Sequence, residues 1–186
     1  MTDDLRWRLG ARHPGHDYRI FRTAFVDAEH PRGGPSRRFS LIECADWVNV
    51  IALLPDDRVV VLRQYRPGID RVCLEIPGGM VDPGEDARTA AARELVEETG
   101  YTATSWRLIG KVAPNPAIQN NTLYTYLALD ARPTDPPHAD DGEVLEVATM
   151  TLAEIRDRLR RGAIEHALVV TAFAHLAFEL GELRRP

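Results

Sequence analysis

Lysine is almost absent from this chain: one Lys, Lys111, stands against 22 Arg. With alanine abundant as well, the bias reflects a GC-rich genome and carries no mechanism. A basic surplus is missing too, since 23 Lys and Arg face 28 Asp and Glu for a net charge of −5. That balance argues against nucleic acid as a partner, because a protein gripping a phosphate backbone needs excess positive charge. Cysteine is scarce. Cys44 and Cys73 lie in separate strand-like apolar runs, with no C-x-x-C and no Cys/His ligand spacing, and read as reduced core residues of a cytoplasmic protein. The start, Met1-Thr2-Asp3-Asp4, lacks a basic stretch followed by an apolar run, so no signal peptide is expected. No hydrophobic run is uninterrupted for the length of a membrane span. The longest, 163–180, contains Glu165, His166, His175 and Glu179. It suits a C-terminal helix packed on the domain or on a second subunit, with His175 a satisfied packing residue. At 186 residues, 44% hydrophobic and 27% charged, the chain can bury one sizeable core.

What the chain does have is concentrated between 79 and 101. The segment 86–99 contains no Gly or Pro, is rich in Ala, Arg, Glu and Leu, and is followed by Gly100 in the position of a helix C-cap. It is expected to be a helix. Glu94, Glu97 and Glu98 then fall within about 100° of one another on one face, with Ala92, Leu95, Val96 and Thr99 on the other. Like charges three and four residues apart repel, so an unpartnered cluster beside an apolar face calls for a cation. The plainer alternative is a solvated acidic face on which Arg93 bridges Glu97.

Context favours the cation. Gly78 and Gly79 precede the helix, Asp82-Pro83-Gly84 feeds it, and the order is Gly79, five residues, Glu85, seven residues, then Arg93-Glu94-Leu95-Val96-Glu97-Glu98-Thr99-Gly100. This run resembles the Nudix box at every fixed position through Gly100. Only Tyr101 departs, where an aliphatic residue is usual, and it still supplies a bulky buried side chain. The resemblance implies a hydrolase of nucleoside diphosphates linked to another moiety, with divalent metal held on the helix carboxylates. A pyrophosphate repels an attacking hydroxide, so a cation that neutralises its oxygens and acidifies the attacking water fits the chemistry. Mg²⁺, with Mn²⁺ able to stand in, is expected on Glu94 and Glu98, with Glu97 third and the Gly78 carbonyl fourth. Glu85 is expected to orient the loop through Arg93.

Flanking segments fill in the fold. Strand candidates at 18–26 and 37–43, joined by a turn at 30–35, form a hairpin that cannot stand alone and needs a surface to cover it. Further strands are expected at 48–54, 58–65, 72–76, 105–112, 122–129 and 143–150, the earlier ones of antiparallel type. Thr151 with Glu154 opens a helix as a capping box, stopped at Gly162. The sum is an α+β fold, a Nudix-type α/β/α sandwich with a mixed sheet (46–186) plus an N-terminal β-hairpin segment (1–45). The hairpin and the habit of the resembled branch imply a homodimer.

That branch is set by the surroundings of the box. Arg63-Gln64-Tyr65-Arg66-Pro67, Leu74-Glu75-Ile76-Pro77-Gly78-Gly79, and Pro116 sixteen residues beyond Gly100 are similar to the ADP-ribose and nucleoside-diphosphate-sugar pyrophosphatases. Arg66 is a candidate for a substrate phosphate, which its planar fork meets in a bidentate way, and equally a strand-end Arg paired with Glu75. Phe39 and Trp47 are candidates to stack on a nucleobase, or core residues. Where the branch often carries Ser-Pro-Gly and an acid, this chain has Pro116 followed by Gln119, Asn120 and Asn121, amides suited to a hydroxyl-rich sugar or to capping turns. The loop 130–142 leads to Glu143, which the resemblance makes the general base or an added metal ligand, with Glu146 next. The chain is thus expected to be a Mg²⁺-dependent pyrophosphatase splitting ADP-ribose or a related nucleoside-diphosphate sugar into a nucleoside monophosphate and a sugar phosphate. Alternatives are a dinucleoside polyphosphate or nucleoside triphosphate hydrolase, and a non-catalytic module that binds ADP-ribose.

Overall fold

The computed structural model describes residues 5–138 and 144–181. Contacts divide the chain into two compact units, Met1–Ala45 with Ala113–Thr122, and Asp46–Val112 with Leu123–Pro186. The segment 113–122 therefore groups with the N-terminal residues and not with the larger domain expected over 46–186.

In the first unit, β1 (Arg8–Asp17), β2 (Arg22–Glu29) and β3 (Arg37–Glu43) form an antiparallel sheet in that order. The expected hairpin is thus a three-stranded sheet, and β1 was not foreseen. Its sequence carries Gly10, Pro14 and Gly15, which read as loop, but it is an edge strand with register shifts at Leu9/Arg12 and Pro14/Asp17, where Pro and Gly are tolerated. The strand expected from 18 begins at Arg22, because Arg19 takes a left-handed φ of 72° in the turn between β1 and β2. Ala24, Val26 and Ala28 alternate to the buried face of β2. The stretch 113–122 adds to the free edge of β3: Ile42 N–H donates to the Ile118 carbonyl at 2.7 Å, and Ile42 bridges Gln119 in parallel.

The second unit contains β4 (Trp47–Ala52), β5 (Arg58–Arg66), β6 (Arg71–Glu75), β7 (Gly78–Met80), α1 (Ala87–Thr99), β8 (Tyr101–Thr102), β9 (Ser105–Val112), β10 (Leu123–Leu129), β11 (Arg132–Pro133), β12 (Leu145–Thr151), α2 (Leu152–Arg160) and α3 (Ala167–Glu179). One sheet has the order β7-β4-β10-β9, mixed because β4 and β10 run parallel while the outer pairs are antiparallel. A second, β12-β5-β6, is antiparallel.

Alternation explains the layers. Ile51, Val59, Val61 and Leu127 join Ile155, Val169, Phe173 and Leu176 of α2 and α3 in one core, while Val48, Val50, Val60 and Tyr126 join Ala90, Ala91 and Leu95 of α1 in another. Strands covered on both faces read as continuous apolar runs, as 50–54 and 59–62 do. Burying one such Val, Leu or Ile contributes about 1.5–3 kcal/mol. Tyr101 is half-buried against the α1-side core. The Thr151 capping box is present, with Thr151 Oγ1 accepting from Glu154 N–H at 3.2 Å and Glu154 Oε2 accepting from Thr151 N–H at 2.8 Å. Helix α3 starts at Ala167, later than the apolar tract suggested, because His166 is extended and caps it.

Beneath α3 lies a polar row. Asn49, Thr125 and Gly110 are register neighbours on β4, β10 and β9, and the His175 ring rests against Gly110 where any Cβ would overlap it. Asn49 Nδ2 donates to the Leu168 carbonyl of α3 at 3.2 Å. Asn49 Oδ1, Thr125 Oγ1 and His175 Nε2 are buried with no hydrogen-bond partner in the protein. His175 packs as expected, against Gly110, but its buried Nε2 is not satisfied within the protein.

Gly110→Ala should lower stability by about 1–3 kcal/mol, since overpacking outweighs the roughly 0.5–1 kcal/mol that Ala gains over Gly in a strand. Urea unfolding midpoints measure it. Adding His175→Ala should recover part of the loss, and a neutral or stabilising Gly110→Ala would show that the ring moves freely.

Candidate active site

Helix α1 is tied at both ends. Asp86 Oδ1 accepts from the N–H groups of Arg88 at 3.0 Å and Thr89 at 3.1 Å, and the helix closes on Gly100, left-handed at φ 71°, whose N–H reaches the Val96 carbonyl at 2.7 Å. A side chain at Gly100 would meet the Asp135 carbonyl as well as the unfavourable φ. The buried face comprises Ala90, Ala91, Leu95, Glu98 and Thr99. This corrects the expected division: Ala92 and Val96 are half-buried, and Glu98 lies on the buried face, 5% exposed.

Two glycines let the preceding strand approach this helix. Gly78 pairs with Asn49 on β4, and a Cβ there would overlap the Val48 carbonyl; a Cβ on Gly79 would overlap the Glu94 carboxylate. With nothing in the way, Gly78 N–H donates to Glu98 Oε2 at 2.9 Å.

Arg93 binds the box together. Its Nε and Nη2 donate to the two oxygens of Glu85 at 3.1 and 3.0 Å, Nη1 donates to Glu94 Oε1 at 2.9 Å and Glu97 Oε2 at 3.0 Å, and Nη2 also reaches the Met80 carbonyl at 3.0 Å. The hydrogen bond from Arg93 holds Glu85 below the usual carboxylate range, and the same contact, followed by the charges of Glu94, raises Arg93 above the ordinary guanidinium value. Glu85 acts on the loop through Arg93 as anticipated, and it also accepts from Asp82 N–H at 3.2 Å. The premise that the glutamates lack a partner is corrected, because Arg93 meets both Glu94 and Glu97. Among the described residues no three His, Cys, Asp or Glu side chains converge as a ready metal cage.

On the neighbouring hairpin Arg66 Nε and Nη2 donate to Glu75 Oε1 and Oε2 at 2.7 and 2.6 Å, a bidentate pair in which the Glu75 carboxylate is 5% exposed and the guanidinium 39%. The pairing kept open in the sequence is therefore formed. It leaves the guanidinium the more exposed partner, compatible with a phosphate contact.

A model of the NUDIX domain matches residues 46–173. The chain belongs to the Nudix family. It is 30% identical over 129 residues to the ADP-ribose pyrophosphatase of Bacillus subtilis, covering 69% of each chain, and 34% identical over 137 residues to the mouse ADP-sugar pyrophosphatase, covering 69% of this chain and 63% of the relative. The methanol dehydrogenase activator of Bacillus methanolicus is 28% identical over 162 residues, 87% of each chain. The solved structure of an ADP compounds hydrolase superposes over the whole of both chains with a TM-score of 0.83 at 25% identity. The chain is accordingly a Nudix hydrolase, of a family that works with divalent cations.

The Nudix residues suit such a cation. Glu94 and Glu98 stand one turn apart, with the Glu94 side chain 14% exposed, and offer the oxygen donors that a hard divalent ion takes while keeping several waters. Glu97 is more open, at 40%. Trp47 is half-buried at the start of β4, opposite Met80. In the other unit, Phe39 packs edge-on against Trp7 at 5.2 Å. There Gln119 N–H closes a turn on the Asn115 carbonyl at 2.8 Å, Asn120 Oδ1 accepts from Cys44 N–H at 3.3 Å, and Pro116 is exposed. Asn120 thus caps no turn but satisfies a backbone N–H distant in the chain. Asn121, not a first choice in the sequence, is buried with both amide atoms unpartnered. Glu143 lies outside the described residues; Glu146, on β12, pairs with Arg63 at 2.6 Å. Sequence reasoning missed His166, described below, whose only signal was its position just before an apolar helical run.

Glu98→Gln keeps an acceptor for Gly78 N–H but removes the charge, so it should cost at least about a hundredfold in kcat/KM with a near-normal melting curve. Arg93→Ala should instead destabilise the fold by about 2–3 kcal/mol, because it strands partly buried carboxylates. The Glu85 contribution is full above the ordinary carboxylate range and lost as pH falls through its lowered pKa; unfolding midpoints from pH 7 to pH 3 should lose that acid limb in Arg93→Ala. Equal stability of Arg93→Ala and wild type across that range would remove Arg93 from its structural role.

Proposed function

We propose that this Nudix hydrolase splits the pyrophosphate of ADP-ribose or a related nucleoside-diphosphate sugar, releasing a nucleoside monophosphate and a sugar phosphate. The observation that carries the reading is the half-exposed Arg66 fork, held by buried Glu75 on the strand that runs into the Nudix glycines. The ADP-ribose and ADP-sugar pyrophosphatase names of its relatives support the substrate class. Mg²⁺ is the proposed ion, with Mn²⁺ able to replace it, held by Glu94 and Glu98 with Glu97 and the Gly78 carbonyl assisting. When bound, it supplies charge neutralisation at the pyrophosphate oxygens and a more acidic water. Arg66 grips a phosphate, and Arg93 keeps the carboxylate-bearing turn in place. Glu143 is proposed to take the proton of the attacking water, with Trp47, Phe39, Pro116, Gln119 and Asn120 serving the nucleoside and sugar. The two cysteines, Cys44 and Cys73, form no disulfide, which supports a cytoplasmic location.

A panel of ADP-ribose, other nucleoside-diphosphate sugars, dinucleoside polyphosphates and nucleoside triphosphates, each with and without Mg²⁺, tests this directly. ADP-ribose or another nucleoside-diphosphate sugar should lead by at least tenfold in kcat/KM, and activity should vanish with chelator. Preference for triphosphates or dinucleotides would overturn the substrate reading. Glu143→Gln should slow turnover about a hundred- to ten-thousand-fold while calorimetric Mg²⁺ binding persists; loss of metal instead would make Glu143 a ligand.

The N-terminal unit is proposed to mediate a homodimer. It exposes Leu9, Tyr18, Ile20 and Phe25, and holds an apolar groove of ≈ 370 Å³ lined by Tyr18, Phe25, Ile42 and Ile118 among others. Sedimentation at micromolar concentration should give twice the chain mass, and Phe25→Asp should shift it toward monomer. A wild-type monomer under those conditions would sink the proposal.

A further inference from the structure

The segment leading into α3 lies along β6. Glu165 carboxylate oxygens accept from Arg71 Nη1 at 3.0 and 3.1 Å, and the next residue, His166, brings Nε2 to 3.9 Å from Glu75 Oε2. Arg71 and Glu75 are four residues apart on β6 and so share one face of the strand. The two consecutive side chains thus reach the two ends of that face, with Ile164 buried just before them.

His166 is also the N-cap of α3. Its Nδ1 accepts from Leu168 N–H at 3.3 Å, while its backbone carbonyl takes Val169 and Val170 N–H at 3.0 and 3.1 Å. A ring nitrogen that accepts carries no proton, so the neutral ring has its N–H on Nε2, the atom nearest Glu75. The same Glu75 Oε2 receives Arg66 Nη2 at 2.6 Å. The Glu75 carboxylate, 5% exposed, is thus hydrogen-bonded by the Arg66 guanidinium and has the imidazole Nε2 3.9 Å away, beyond hydrogen-bond length but near enough for the N–H dipole to act on the charge.

We propose that His166 is a positioning residue for substrate binding: its Nε2–H side steadies Glu75, and Glu75 in turn sets the angle of the Arg66 fork. The proposal rests on the reading of Arg66 as a phosphate contact. His166 itself touches no substrate, and its effect reaches KM through Arg66. Because the ring is anchored by the helix N-terminus, the registration of α3 on the domain is transmitted to the phosphate grip.

His166→Asn separates capping from positioning, since Asn is a good N-cap but is too short to approach Glu75. Using whichever nucleotide sugar the intact enzyme turns over best, His166→Asn should raise KM about three- to tenfold with kcat little changed and a melting temperature close to wild type. His166→Ala should raise KM equally and also melt earlier. In an Arg66→Ala background, His166→Asn should add nothing further to KM. An unchanged KM in His166→Asn, or an increase that persists undiminished without Arg66, overturns the proposal. If Arg66→Ala itself leaves KM unaltered, the phosphate reading fails instead, and the two failures are told apart by that variant alone.

Discussion

Packing acidic side chains against the glycine strand and the sheet is the demand around which the site is organised, and one guanidinium meets most of it. Arg93 contacts Glu85 before the helix, Glu94 beside it in sequence, Glu97 one turn on, and the Met80 carbonyl of β7. Five donors in a fixed plane make this possible; an ammonium could hold one or two of these groups at a time. Loop, helix and strand are consequently fixed to one another by a charge-assisted network, and Glu98 is held separately by the Gly78 amide. Repulsion among the glutamates, which alone would demand a cation, is therefore partly relieved by the protein itself. This accounts for how the helix carries several carboxylates at close quarters.

Close approach is the second requirement. Gly78 and Gly79 sit where any side chain would strike the β4 backbone or the Glu94 carboxylate, and Gly100 sits where one would strike the Asp135 carbonyl. Each glycine forfeits backbone freedom on folding, a cost of about 0.5–1 kcal/mol relative to Ala in regular structure. The return is contact between backbone amide and carboxylate at hydrogen-bond distance. The strands behind them supply rigidity, because β4, β5 and β10 are covered by α1 on one face and by α2 and α3 on the other. That coverage also explains the apolar continuity of those strands and the tolerance of a polar row, Asn49 and Thr125, only where a helix carbonyl or imidazole is near.

The helix ends carry information beyond stability. Asp86, Thr151 and His166 each cap a helix, but His166 alone also approaches a buried carboxylate of the site. Its proposed role ties α3 to the Arg66 hairpin through Glu75. In the other unit, an edge strand of mostly exposed side chains is held by ladder hydrogen bonds and by the His13, Asp27 and Arg38 contacts that cross β1, β2 and β3. The hydrogen bond from Arg38 pushes Asp27 well below the usual carboxylate range.

The sequence by itself determined what depends on local spacing. Helix α1 with its Asp86 and Gly100 ends, the Thr151–Glu154 box, and the strand limits at 37–43 and 105–112 follow from propensity, capping chemistry and periodicity, all of which act over a few residues, while the role of Glu85 through Arg93 came from the family resemblance of the box. The tertiary structure decided what depends on partners distant in the chain. It made β1 a strand, because a Gly- and Pro-bearing segment pairs only when a ready edge is offered. It drew 113–122 to the β3 edge. It buried Glu98 rather than Val96, because Gly78 N–H, twenty residues earlier, outcompetes solvent for that carboxylate. And it brought His166 to within 3.9 Å of Glu75 across 91 residues, a meeting that no local pattern encodes, since it depends on the packing of α3 on the sheet.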